Sequence, residues 1–353
     1  MRNNHIYWNT GDNKWISIGD LSESNIYITE TKEHISDLAV RESGIKAIPE
    51  NTVVMSFKLS IGKTAITTQD MYSNEAIMAF IDKKVTTVLP EYLYYLLSGQ
   101  DWDKGTNNAV MGKTLNKATL SERKIHIHSP EEQKKIVDIL NDIKQIIDKY
   151  KNQLNKLETL IKARFVEMFG VPLSNEKGWP LKRIGDLFGL ISRGNQPSYV
   201  AHSSVRVINQ ACVYWERFNL ENVKYHDSQS VKKTLPIKKN YILINSTGTG
   251  TLGRCNVFPE LTDNNTYVAD SHVTVLAENH DINSYFFKCF LQREDVQKKI
   301  YAECVNGSTN QIELSKEKLS NVLIIVPPIE LQEQFAAFVR QVDKSKVSDF
   351  EKV

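Results

Sequence analysis

Over most of the chain, apolar residues fall in short runs closed by Gly, Asn, Asp or Pro, as in "NTVVMSFKLSIGKTAI" and "NYILINSTGTGTLGRCNV". Runs of this kind predict short strands in small mixed sheets. One segment departs from the pattern. From Pro130 to about Met168 no Gly or Pro intervenes, and Ile136, Leu140, Ile143, Ile147, Tyr150, Leu154, Leu157 and Ile161 recur at alternating spacings of 4 and 3. That period marks a coiled-coil seam on a single long helix. Ser129 caps it, Glu131 and Glu132 occupy its first turn, and Gly170 and Pro172 end it. At 1.5 Å per residue it is about 57 Å long, too long and too narrow in its stripe for an ordinary core helix. It reads as a strut packed against another helix. The natural partner is the helix begun by "ELQEQFAAFVRQVDKSK", with Phe335, Phe338 and Val342 on its face.

The segments on either side of the strut resemble each other. "SPEEQKKIV" is echoed by "ELQEQFAAF", which sets Glu132-Gln133 over Glu333-Gln334. Upstream, "AVMGKTLNKATLSERKIHIHSP" matches "CVNGSTNQIELSKEKLSNVLIIVPP", with Gly112 over Gly307. Ile61-Gly62-Lys63 aligns with Leu252-Gly253-Arg254, and the aromatic helices "EYLYYLLS" and "NSYFFKCFLQ" correspond. Boundaries follow: residues 1–128 and 171–328 form two similar domains, 129–170 the central helix, and 329–353 the start of a distal one. The fold class is α+β, with two units of mixed small sheets and short helices separated by a helical strut.

The glycines of "YILINSTGTGTLGRC" spell G-x-G-x-x-G at Gly248, Gly250 and Gly253, with Asp270 about 20 positions on. A dinucleotide site needs a helix to open there. Pro259, the β-prone Val257-Phe258 and the turn "TDNN" forbid one, and Asp270 is expected to begin the strand "DSHVTVL". The loop therefore joins two strands, and its first two glycines are an insertion relative to the first unit. Composition adds little direction. The 353 residues suit about two domains, and 44 basic against 42 acidic residues leave no global field for a polyanion, so any such binding uses local patches. Four cysteines without a C-x-x-C pair argue against disulfide and zinc frameworks and for a reducing cytoplasm. No signal peptide or membrane span is legible.

Six signatures in order are specific to one family: "YWNTGDNKWISIGDL" and "SIGKTAI" in the first unit, "MFGVPLSNEKGWPLKRIGDL", "NSTGTGTLGR" and "DSHVTVL" in the second, and a Pro–Glu-Gln helix start after each. On these the chain resembles the specificity subunit of type I restriction–modification enzymes. The resemblance implies two target-recognition domains reading the halves of a split site in double-stranded DNA, and helices that fix the gap. It also implies methyltransferase and restriction/translocase subunits as partners. The counterpart of "GWPLKRIGDLFGLISRGNQPSY" would lie ahead of Met1, and the distal helix is shorter than the central one. The expectation is a specificity subunit shortened at both ends, with an incomplete first domain.

No catalytic motif is defensible. An N/D-P-P-Y/F methyl-transfer motif is absent, Asp20…Glu30-x-Lys32 matches a metal-nuclease spacing of a kind that arises by chance, and His126 and His128 read as strand residues in "KIHIH". The chain is expected to be a non-enzyme with no cofactor and no metal. DNA contacts are then assigned to loops rich in Arg, Lys, amides and hydroxyls. In the first unit these are Lys58, Ser60, Lys63, Lys113, Thr114 and Asn116. In the second they are Arg193, Asn195, Gln196, Thr247, Thr249, Thr251, Arg254, His272, Ser308, Asn310 and Gln311. The seam from Ile136 to Ile161 is the expected subunit interface. The other reading left open is an assembly scaffold whose domains no longer read DNA.

Overall fold

The computed structural model describes residues 4–58, 60–102, 107–109, 112–115, 120–121, 123–307 and 312–350. For 107–109, 112–114, 232–233 and 347–350 only the backbone is described. The chain divides into two units, Met1–Tyr150 and Lys151–Val353, and the boundary falls inside one uninterrupted helix, Pro130–Phe169.

The first unit holds a four-stranded sheet in the order Tyr27–Ile28, Thr64–Thr67, Val53–Ser56, Ile77–Phe80, and a three-stranded sheet in which Trp8–Ile16 lies between Glu33–Ile35 and Tyr72–Ser73. Val53–Ser56 and Thr64–Thr67 are buried along their whole length, so this part of the sheet is covered on both faces, with the Ser56 and Thr67 hydroxyls hydrogen-bonded to main-chain oxygens. The aromatic helix Pro90–Ser98 packs on them through Leu97, with Leu93 and Tyr94 beside it.

The second unit repeats this plan with more cover. Its main sheet runs Phe188–Arg193, Val273–Asn279, Ile242–Asn245, Cys255–Val257; its second runs Tyr199–Val200, Lys224–His226, Val205–Ile208, Thr266–Ala269. The last pair is parallel and the rest of that sheet antiparallel, so the fold is α+β with mixed sheets. Helix Ser284–Leu291 is buried nearly all round. Its Phe286 meets Phe165 and Phe169 at ring distances of 5.5 and 4.8 Å, and both of those meet Phe335 of the C-terminal helix Ile329–Phe350 at 5.5 and 5.4 Å. Lys346 pairs with Glu158, so the C-terminal helix runs antiparallel to the last part of the long helix. The expected partner helix is therefore in place from about Glu158 onward. The seam is less uniform than its spacing suggests. Ile161 is buried, Ile143 and Ile147 are each 47% exposed, and near the helix start Val137, not Ile136, is the buried residue.

Backbone hydrogen bonds establish the duplication. Gly62 N donates to Ser56 O and Ser56 N to Lys63 O, both at 2.9 Å; Gly253 N donates to Asn245 O and Asn245 N to Arg254 O, both at 2.8 Å. The glycine loop therefore joins two antiparallel strands in each unit, as its residues foretell. Three other alignments need correction. Gln133 Nε2 donates to Thr87 O and His128 O, both at 2.9 Å, and its Oε1 accepts from Leu89 N at 2.8 Å. Gln332 Nε2 donates to Asp281 O (3.1 Å) and Pro327 O (2.7 Å), and its Oε1 accepts from Asn283 N (2.9 Å). The equivalent of Gln133 is thus Gln332, not Gln334. Likewise the hairpins Asn107–Ala109/Gly112–Thr114 and Val305–Asn306/Glu313–Leu314 are anchored by Leu115 N on Phe57 O and Leu314 N on Ser246 O, at 3.0 and 2.8 Å, so the matched residues are Leu115 and Leu314 rather than Gly112 and Gly307. Third, "KIHIH" forms no strand: Leu323–Ile325 pairs with Leu181–Arg183, whereas 123–129 pairs with no described strand, and Tyr92 Oη instead contacts His126 O (3.0 Å) and His128 Nδ1 (2.7 Å).

Both glutamines are fully buried. Gln332→Ala strands an N–H and two carbonyls without partners, at about 1–3 kcal/mol for each buried group left unpaired. Hydrogen exchange should then show helix Ser284–Leu291 opening with a cost lowered by roughly 3 kcal/mol; unchanged protection would mean that the amide is not what fastens the helix. The glycine loop makes a second contrast. Gly248 and Gly250 have φ of 94° and 84°. A Cβ at Gly248 would lie 2.5 Å from Thr251 Oγ1, and one at Gly250 would meet nothing within 4 Å. Gly250→Ala should cost about 1–2 kcal/mol in thermal unfolding, and Gly248→Ala distinctly more. Equal costs would show that the loop yields freely.

Candidate functional site

At one end of the second unit, three turns meet. The "DSH" turn follows strand Thr266–Ala269: Asp270 is not the start of the next strand but a buried turn residue, and the strand begins at Val273. Asp270 Oδ1 accepts from His272 N at 2.9 Å, and Oδ2 from Tyr199 Oη at 2.6 Å. Burial first, and then this carboxylate, push the Tyr199 hydroxyl well above the ordinary phenol range, so it stays a donor. The turn 209–211 follows strand Val205–Ile208. Asn209 Nδ2 donates to Asn222 O, and Asn222 Nδ2 to Ala211 O, which locks the turn to its neighbour. The 196–199 segment and strand Lys224–His226 complete the walls, and the glycine loop lies behind them, touching Gln210 and His272 through Thr247.

Together these segments enclose a cleft of about 500 Å³ lined by Gln196, Tyr199, Asn209, Gln210, Ala211, Asn222, Lys224, Asp270 and His272. Its polar groups are four amides, a phenol, an imidazole, one lysine and the Asp270 carboxylate, whose oxygens are taken up by Tyr199 Oη and His272 N. Lys224 Nζ sits 4.9 Å from the centre of the Tyr199 ring. Amides in such a cleft can address the donor and acceptor pattern of a base edge, and the lysine a phosphate or a base acceptor. Gln196 and His272 are the expected residues that the cleft brings together. Tyr199, Asn209, Gln210, Asn222 and Lys224 were missed. The available signal was "INQA", two amides directly after an apolar strand.

The other expected residues of the second unit are placed as follows. Thr247 touches both Gln210 Oε1 (3.2 Å) and His272 Nδ1 (2.9 Å). Thr249 is exposed at the loop tip. Thr251 instead turns back, donating to Thr247 O at 2.9 Å, and so shapes the loop. Arg254 is half-buried with its guanidinium 5.2 Å from the Tyr214 ring centre and its Nε without a partner. Arg193 pairs with Glu313 and donates to Leu314 O at 2.9 Å, which ties the hairpin to the sheet. Asn195 is exposed and bridges Asp270 through the backbone. Ser308, Asn310 and Gln311 lie outside the described residues.

The first unit builds the same turn with other side chains. Asn74 Oδ1 accepts from Ala76 N at 2.9 Å and Ala76 O accepts from Phe57 N at 3.0 Å, matching Asp270 Oδ1 with His272 N and His272 O with Ser246 N. The neighbouring cavity, about 330 Å³, is lined by Tyr7, Trp8, Trp15, Ile35, Ala39, Ser43, Ile45, Asn74 and Glu75. It is aromatic where the second is amide-rich, with Trp8 and Trp15 edge to face at 5.1 Å. In the 56–63 loop, Lys63 Nζ donates to Ser22 Oγ, Ser60 O accepts from Ser56 Oγ, and Lys58 Nζ lies 5.6 Å from the Phe57 ring centre. Asn116 and the side chains of Lys113 and Thr114 lie outside the described residues.

Groups that imitate catalytic sets have structural work. Asp20 forms a capping box with Ser17 and accepts from Lys32 N, Glu30 pairs with Lys14, and Lys32 pairs with Glu23. The four cysteines are free and buried, and burial pushes Cys212 up to about 11 and Cys255 and Cys289 up to about 12, which removes their thiolates at neutral pH. No helix among the described residues is long and apolar enough to cross a membrane.

Comparison with known proteins matches this architecture. The type I restriction–modification enzyme MjaIX specificity subunit of Methanocaldococcus jannaschii is 27% identical over 362 residues, covering 95% of this chain and 80% of that protein. The EcoprrI specificity subunit of Escherichia coli is 24% identical over 147 residues, 41% of this chain and 36% of that one. The crystal structure of a type I system S subunit from M. genitalium shares the fold with a TM-score of 0.54 at 13% identity, covering 99% of this chain and 93% of that one. A chain from a structure of type I system assembly and conformational transition gives 0.53 at 14% identity, with 95% and 84% covered. The model of the type I restriction modification DNA specificity domain matches residues 2–159 and again 176–351. By that double match, over frames that repeat the same hydrogen bonds, the chain belongs to the type I restriction–modification DNA specificity family.

Proposed function

We propose that this chain is the DNA-reading subunit of a type I restriction–modification complex, in which each unit addresses one half of a split site. Methyl transfer and cleavage then belong to partner methyltransferase and restriction/translocase subunits, and the chain supplies neither. The observation that carries this reading is a constant frame with divergent loops. The two units share main-chain bonds at the glycine loop and from it to the 74–76 and 270–272 turns, each turn closed by the side-chain oxygen of its first residue, yet one turn carries Asn-Glu-Ala and the other Asp-Ser-His. A shared frame with different side chains suits two modules that read different base sequences.

The exposed apolar residues of the long helix, Ile139, Ile143, Ile146 and Ile147, fit docking of a partner helix in the same complex. Arg254, stacked on Tyr214 beside the glycine loop, is the candidate phosphate contact.

Methylome sequencing of cells with and without this chain, beside its methyltransferase partner, tests the reading. A bipartite motif should appear only when the chain is present, and methylation that proceeds without it would refute the proposal. The purified chain alone should neither methylate nor cut DNA. For Arg254→Ala, binding of the complex should weaken about equally on all sequences, and the salt slope should fall by about 1. A slope that stays the same with the fold intact would remove Arg254 from the interface.

A further inference from the structure

A threonine hydroxyl has one hydrogen and can accept as well as donate. Thr247 Oγ1 stands between Gln210 Oε1 at 3.2 Å and His272 Nδ1 at 2.9 Å. Its hydrogen goes to the amide oxygen, so toward the imidazole it only accepts. Neutral His272 then carries its proton on Nδ1, and its Nε2 is an acceptor, while Gln210 Nε2 is a donor. Turning the amide over would reverse every hydrogen along the chain and exchange the two ends. In either sense the relay ends in one donor and one acceptor, and both residues line the cleft.

On the reading of this chain as a DNA-reading subunit, we infer that Gln210 and His272, coupled through Thr247, read a single adenine of the second half-site. Adenine is the base whose major-groove edge pairs an acceptor, N7, with a donor, the N6 amino group. Guanine offers two acceptors on that edge, which leaves the accepting end of the relay opposed. Pyrimidines offer one polar group there. The loop is built to hold the relay. Gly248 has no side chain where Gln210 Oε1 lies 3.0 Å from its ideal Cβ position, and Asp270 fixes His272 by accepting its N–H. At the place of His272 the first unit carries buried Ala76, so the relay has no counterpart there among the described residues. That unit serves as an internal control.

The test uses the whole complex. Methylation mapping is run with the native chain, Thr247→Ser and Thr247→Val. The serine keeps the hydroxyl, and the motif should be unchanged. The valine breaks the relay, and discrimination should fall about tenfold or more at one A·T position of the second half, with the first half intact. A second measurement leaves the protein untouched: 7-deazaadenine at that position, which lacks the N7 acceptor, should weaken binding of the native complex to a similar degree. Full methylation of an unchanged motif by Thr247→Val, relaxation at a G·C pair, or indifference to 7-deazaadenine overturns the inference. If the valine variant does not assemble, 7-deazaadenine substitution at each adenine of the second half decides. A native complex that methylates no bipartite motif would instead overturn the functional reading on which the inference rests.

Discussion

Main-chain polar groups removed from water must find partners, and in this chain the same side chain meets that demand twice. Gln133 and Gln332 each take up three backbone groups at the point where a long helix starts and a short aromatic helix is capped. An amide suits the task because it carries donors and an acceptor on one rigid plane. Each glutamine fixes the aromatic helix, and that helix covers the sheet from which the glycine loop and the 74–76 or 270–272 turn project. In the second unit the cluster of Phe165, Phe169, Phe286 and Phe335 extends the same joint into a dry aromatic core.

Above this frame, tolerance rises. The strands beside the glycine loop are buried on both sides, and any change in them is felt through the core. The ends of the glycine loop are closed by main-chain hydrogen bonds, which do not depend on side-chain identity, and the turns beside it need only a short side-chain acceptor, Asn74 or Asp270, at their first position. The loop between Asn245 and Cys255 is two residues longer than its counterpart and keeps the same closing bonds. Rigid support with replaceable side chains is the division of labour that a recognition module needs.

The long helix, the glycine loop between strands, the two aromatic helices and the duplication were legible because each rests on local period or turn chemistry. The register of the repeat was not. Both Gln133 and Gln334 follow a glutamate, and only burial tells that Gln332 is the working residue. The seam rule likewise followed a spacing of 4 and 3 and passed over Val137, Phe165 and Phe169, since the ends of the helix belong to domain cores and not to a coiled coil. The cleft was half legible. Gln196 and His272 announced themselves by loop composition. Asn209, Gln210 and Lys224 join them only because Val205–Ile208 pairs in parallel with Thr266–Ala269, a contact across some 60 residues that no local pattern encodes.

All four thiols lie in the second unit, each packed away from solvent. A thiol-specific reagent therefore finds nothing to modify in the first unit and reaches the second only when that unit opens. The chain carries a built-in reporter that separates the breathing of one half from that of the other, with no label added.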